Sequence, residues 1–151
     1  MELSTIEAIE QIKQLKARYF RLMDQKRWDE WRDVFTEDVT AVYYNAPSGC
    51  QGDGLPELRC NGRADLVAKV REILAKGFSV HHGHMPEIEV TGPTTAKGIW
   101  AMFDYLLFPD FTFKGYGHYE EDYVKEDSVW RIKTILLTRL HCEFTRHTSA
   151  A

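Results

Sequence analysis

At the start of the chain the apolar residues Ile6, Ile9, Ile12, Leu15, Tyr19 and Leu22 recur at helical spacing. Ser4 followed three residues later by Glu7 reads as a capping box, so the pattern predicts a first helix from about Thr5 to about Met23. A second, short helix carries Trp28 and Trp31 on one side and is expected to end near Phe35. Val39 to Tyr44 is rich in β-branched and aromatic residues and predicts a strand. From Asn45 to Gly62 four glycines and two prolines break the periodicity, which reads as a long loop bordering a pocket mouth. A third helix is predicted over Arg63 to Lys76. Leu66, Val70, Ile73 and Leu74 supply its buried stripe, and Gly77 is placed to end it.

From Phe78 onward the pattern becomes that of strands. Phe78 to Val90, Thr95 to Phe108, Phe113 to Lys125 and Val129 to Phe144 are separated by turn signals such as Gly92-Pro93 and Glu126-Asp127-Ser128. Long strands joined by short connections pair antiparallel, and their sheet must curl to bury one face against helices. The expected fold class is α+β, with helices on a bent sheet and a cavity between them. At 151 residues, 44% hydrophobic and 13% aromatic, the chain suffices for one sizeable core, and a single domain over 1–151 is expected.

Charge narrows the partners. The 23 acidic and 19 basic residues give a formal charge of −4 and no basic stripe, so nucleic acid is not an expected partner. No apolar run approaches the ~20 residues of a membrane span, and Met1-Glu2-Leu3-Ser4 does not open a signal sequence. A soluble cytoplasmic protein is expected. Cys50, Cys60 and Cys142 show no CxxC spacing and suit free thiols in a reducing compartment; a Cys50–Cys60 bridge across the loop is the alternative.

The candidate chemistry is concentrated in His81-His82-Gly83-His84, three imidazoles in four residues. Such a cluster raises metal ligation and general base catalysis together. His82 and His84 share a strand face, yet no further ligand set with zinc spacing accompanies them, so no metal is expected. Strict alternation from Phe78 and Val80 puts His82 and His84 in phase with the apolar residues and His81 in phase with Ser79; Pro86 interrupts that phase. Asp104 shares a face with Trp100, Met102 and Leu106, and Arg139 ends the run Ile135 to Thr138. A charge on an apolar face needs a partner or a task, and these two can satisfy each other as a structural pair. Tyr19 and Asp24 lie at and just past the end of the first helix.

Taken in order, these residues resemble a known family. They are the first-helix series from Ile6 through Ile9, Ile12-Lys13, Leu15-Lys16 and Tyr19-Phe20-Arg21 to Asp24; then Trp28; His81-His82-Gly83-His84 with Pro86-Glu87-Ile88; Gly98, Trp100 and Asp104; and Trp130, Ile132 and Thr138-Arg139. The set looks like the SnoaL-like branch of the nuclear-transport-factor-2-like superfamily, most similar to bile-acid 7α-dehydratase and more distantly to scytalone dehydratase. The resemblance implies a cone-shaped barrel, three helices on a strongly curved, mostly antiparallel sheet enclosing an apolar pocket. It implies Tyr19, Asp24, His81, Asp104 and Arg139 as catalytic residues, with His118, Tyr116, Trp100 and Met102 against the substrate.

The activity implied is a dehydratase acting next to a carbonyl of a hydrophobic steroid-like, aromatic or polyketide molecule, with no cofactor. In this scheme His81, supported by Asp24, takes the carbon-bound proton and Tyr19 assists. An isomerase, a polyketide cyclase or a non-catalytic binding module would use the same pocket. The aromatic strands (Trp100, Phe103, Tyr105, Tyr119, Tyr123) further suggest a homo-oligomer, and the resemblance places a trimer ahead of a dimer.

Overall fold

The structure, a computed structural model, describes residues 2–45 and 57–148. Its helices are α1 (Leu3–Asp24), α2 (Trp28–Trp31), continued by a 3-10 turn over Arg32–Val34, and α3 (Arg63–Leu74). The strands are β1 (Phe35–Tyr43), β2 (Leu58–Asn61), β3 (Phe78–Gly92), β4 (Thr95–Leu107), β5 (Phe111–Glu126) and β6 (Val129–Arg146). They form a six-stranded sheet in the order β2-β1-β6-β5-β4-β3. Pairing is antiparallel except between β1 and β6. The result is the expected α+β cone, with three helices on a sheet that curls without closing. Among the described residues no helix is long and apolar enough to cross a membrane.

The core lies between α1 and the concave face. Ile12, Leu15 and Tyr19 of α1, Trp31, and Phe35, Phe113, Tyr119 and Ile132 of the sheet are almost fully buried, each side chain contributing on the order of 1.5–3 kcal/mol by burial. Trp31 anchors the corner: its ring lies 4.8 Å from that of Phe35, and its indole N–H donates to the Tyr19 carbonyl at 3.0 Å.

Several sequence expectations are corrected. α1 starts at Leu3 with Glu2 as its N-cap and no side-chain cap, so Ser4 lies inside the helix and the Ser4–Glu7 capping box does not form. Ile6 and Ile73 are exposed at 50% and 40%; the buried stripe of α1 instead includes Lys16. Residues 46–56 of the glycine-rich loop, Cys50 among them, lie outside the described residues. Leu58–Asn61, read as loop, is an edge strand antiparallel to β1, and Cys60 within it is a buried free thiol. Trp100, Tyr119 and Tyr123 belong to the core, so only Phe103 and Tyr105 of the five aromatics named for an exposed face lie on the outer side.

The phase of β3 follows neither simple alternation nor the apolar residues. Phe78 is 58% exposed, and Ser79, His81 and Gly83 face inward. Met85 then adopts φ +40°, and the register jumps from His84↔Ala101 to Glu87↔Ile99. This bulge turns Pro86, Ile88 and Val90 inward, and it is tolerated because β3 is an edge strand where Pro86 need not donate to a ladder.

Gly83 lets α1 approach this edge. A Cβ there would collide with the Phe20 ring and press on Trp100, and Phe20 lies stacked against His81 at 6.4 Å. Gly83→Ala is expected to destabilise the fold by about 1–3 kcal/mol through overpacking, measured by urea denaturation. An unchanged midpoint would show that α1 does not seat against β3 as described.

Candidate active site

The last two turns of α1 carry Lys16, Tyr19, Phe20 and Asp24, spaced so that they share the face turned to the sheet. Asp24, the last residue of the helix, meets the start of β3. Three donors of β3 converge on its carboxylate. The Ser79 hydroxyl donates to Oδ1 at 2.9 Å, the His81 backbone N–H donates to Oδ2 at 2.8 Å, and His81 Nδ1 lies 2.6 Å from Oδ1. A carboxylate only accepts, so in the neutral ring the proton sits on Nδ1 and Nε2 is bare.

Nε2 lies 3.9 Å from Asp104 Oδ2, because His81 and Asp104 are register partners on β3 and β4. Asp104 is committed elsewhere: Arg139 donates to both its oxygens, at 2.6 and 2.8 Å. Arg139 Nε also donates to the Tyr44 carbonyl at 3.2 Å. Burial works against the Arg139 cation, but the hydrogen bonds and charge of Asp104 outweigh it, leaving the guanidinium more firmly protonated than usual. Gly115 makes the pair possible, since a Cβ at this register partner of Asp104 would strike both the guanidinium and the carboxylate.

The hydroxyls of Tyr19 and Tyr43 are 2.9 Å apart. Burial, reinforced by neighbouring Tyr119 and Tyr43, pushes the Tyr19 pKa well above its ordinary value, and burial likewise raises Tyr43 and Tyr119. All three therefore remain neutral phenols. With His81, Asp104 and Arg139 they form the polar wall of a cleft whose other lining is largely apolar. The cavity in the cleft is about 70 Å³, smaller than the roughly 300–1,000 Å³ of most small-molecule sites, so a steroid-sized molecule requires the cleft to widen. Asn45 and Leu58, which flank residues 46–56, both line it.

The structure thus brings together Tyr19, Asp24, His81, Asp104 and Arg139. It does not bring the other expected residues into the cleft. Tyr116 and His118 point outward, because alternation along β5 turns Phe113, Gly115, Gly117 and Tyr119 inward; the expectation that they touch substrate is corrected. Trp100 faces inward but lies in the groove between α1 and β3, its indole donating to the Tyr123 hydroxyl at 2.8 Å. Met102 is buried behind Arg139, 3.4 Å from Nη1. His82 and His84 are on the outer face. Sequence reasoning missed Tyr43, Tyr119 and Ser79 in their present positions; the signal for Tyr119 was its phase with Phe113.

Comparison with known proteins accords with this fold. The family model described as SnoaL-like domain matches residues 4–135. A Gibberella zeae protein provisionally named a cyclase is 24% identical over 139 residues, 89% of this chain and 93% of that protein. A Novosphingobium aromaticivorans structure provisionally named a scytalone dehydratase superposes with TM-score 0.80 at 19% identity, covering 100% of this chain and 95% of its own. For the LinA-type3 hexachlorocyclohexane dehydrochlorinase of Novosphingobium barchaimii the TM-score is 0.75 at 14% identity, covering 99% and 97%. At such identities the two structures establish a shared fold.

The buried Asp104–Arg139 pair gives a direct test. Asp104→Ala strands a buried guanidinium and is expected to cost about 3–5 kcal/mol in chemical denaturation, whereas Asp104→Leu with Arg139→Met recovers most of the loss. A double variant no better than the single one would contradict the pairing.

Proposed function

The chain belongs to the SnoaL-like domain family, and on that premise we propose that it is a cofactor-independent hydro-lyase. It removes water next to a carbonyl of a hydrophobic steroid-like, aromatic or polyketide molecule. The observation that carries this reading is the 2.6 Å Asp24–His81 contact at the edge of a largely apolar cleft. Asp24 holds the imidazole with Nε2 unprotonated, the form a general base needs. Once Nε2 takes a proton, the imidazolium lies between the carboxylates of Asp24 and Asp104.

The steps balance without an added oxidant or reductant. The C–H bond next to the carbonyl breaks toward His81 Nε2, and its electron pair moves onto the carbonyl oxygen as an enolate. The pair returns to form the carbon–carbon double bond as the neighbouring C–O bond breaks. The departing oxygen takes a proton from Tyr19 and leaves as water, and the proton held by His81 restores the tyrosine. Tyr19, Tyr43 and Tyr119 supply hydroxyls for developing negative charge in an apolar surrounding that strengthens each such contact. Arg139, held by Asp104 and the Tyr44 carbonyl, acts by keeping that carboxylate in place.

The name carried by the Gibberella zeae relative supports a second reading, in which the same enolate attacks a carbonyl carbon within the substrate and closes a ring. Proton abstraction is common to both, so the product separates them: loss of water against ring closure.

Deuterium exchange at the carbon next to a ligand carbonyl, read by mass spectrometry over a panel of steroid, aromatic and polyketide ketones, tests the base. His81→Ala and Asp24→Asn are each expected to slow exchange by roughly 10²–10⁴-fold with the fold kept. The double variant should be little worse than the poorer single one, because the two act as a unit. Tyr19→Phe should slow exchange as well, and His82→Ala, on the outer face, should leave it nearly unchanged. Exchange that survives His81→Ala would remove this assignment.

A further inference from the structure

Lys16 is fully buried, three residues before Tyr19 on the same helix face. Its ammonium is ion-paired with Glu121, also without solvent exposure. It lies 3.8 Å from the centroid of the Tyr19 ring and 3.6 Å from that of Tyr119, with Phe20 at 4.8 Å. Glu121 is satisfied on its other side, accepting from the Tyr123 hydroxyl at 2.5 Å. A buried ion pair of this kind contributes little net stability compared with apolar residues of the same volume. Its location, beneath two tyrosines that line the cleft, gives it another use.

We infer that Lys16 is a positioning residue of the cleft: its ammonium, held by Glu121, fixes the Tyr19 and Tyr119 rings and strengthens their hydroxyls as donors toward negative charge developing on a substrate. A cation over an aromatic face is attracted to the ring, and the attraction grows as the ring oxygen gains negative character. The inference rests on the reading of the cleft given above and adds a control to it.

That control depends on pH. Burial lowers the Lys16 pKa from 10.5 to about 8, with Glu121 opposing the shift. The charged and titratable groups around it are Tyr19 on α1 and Tyr119 and Glu121 on β5. Tyr123 bonds to Glu121, Tyr43 of β1 bonds to Tyr19, and Asp104 and Arg139 act on Tyr119. Below about pH 8 the cation is present; above it the cation is lost. The unfolded chain keeps this proton up to about pH 10.4, so through that window deprotonation of Lys16 raises folding stability while the tyrosines lose their support. Activity that declines while this stability contribution rises is not what a merely structural lysine would give.

The test uses protein labelled with carbon-13 at the tyrosine ζ position, titrated from about pH 6.5 to 9.5 by NMR, alongside deuterium exchange of a panel ketone. The Tyr19 and Tyr119 signals are expected to move together with a midpoint near pH 8, and exchange to fall roughly tenfold with the same midpoint, as expected for loss of ~1.4 kcal/mol of transition-state stabilisation. Lys16→Met with Glu121→Gln, which removes both charges together, should abolish both transitions and show the lower rate at all pH values. Static ring signals, or an alkaline decline that persists in the double variant, would overturn the role of Lys16 while leaving exchange by His81 intact. Absence of exchange in the wild-type protein would overturn the reading of the cleft and the role of Lys16 in turnover with it. If the double variant does not fold, coincidence of the two wild-type midpoints decides.

Discussion

One carboxylate ties the helical layer to the edge of the sheet. Asp24 ends α1, and the Ser79 hydroxyl, the His81 amide and the His81 ring all bond to it. These bonds fix the seating of α1 on β3, the inward phase of the strand and the orientation of the imidazole at once. An edge strand lacks a neighbour on one side, so its register is weakly specified by pairing alone. The helix-borne carboxylate supplies that specification through the strand's own backbone N–H.

Two further buried charge pairs, Asp104–Arg139 and Lys16–Glu121, extend the same design inward. Each removes two charges from water at a cost that their attraction barely offsets. What both provide is geometry. Asp104–Arg139 places a fixed carboxylate on the Nε2 side of His81, and Lys16–Glu121 sets a cation under the tyrosine rings. Gly115 and Gly83 are the complementary vacancies, one accommodating the ion pair and the other admitting the Phe20 ring beside His81.

Much of the fold was legible in the sequence. The 3.6-residue period of α1, the glycine stop after α3 and the long β-branched and aromatic runs of β4 to β6 each have a local cause. What was not legible depended on tertiary context. Phe78 and Val80 suggested an apolar inward phase for β3, but they face outward, and the bulge at Met85 has no unambiguous sequence signal. Asp104 and Arg139 announced themselves as charges needing partners, which they found in each other. Tyr116 and His118 were expected in the cleft by resemblance although the alternation of Phe113 and Tyr119 already pointed the other way. Lys16 follows Ile12 by four residues, squarely on the apolar stripe of α1, and was overlooked because a lysine in a helix is usually solvated.

In the proposed function Asp24 holds His81 as a base with a bare Nε2. Nitrogen-15 NMR of the labelled, ligand-free protein, taken where the His81 ring is neutral, tests it most directly by reporting which ring nitrogen carries the proton. A protonated Nδ1 hydrogen-bonded to Asp24 and an unprotonated Nε2 are expected. A proton on Nε2, or a ring averaging freely between the two tautomers, would contradict it.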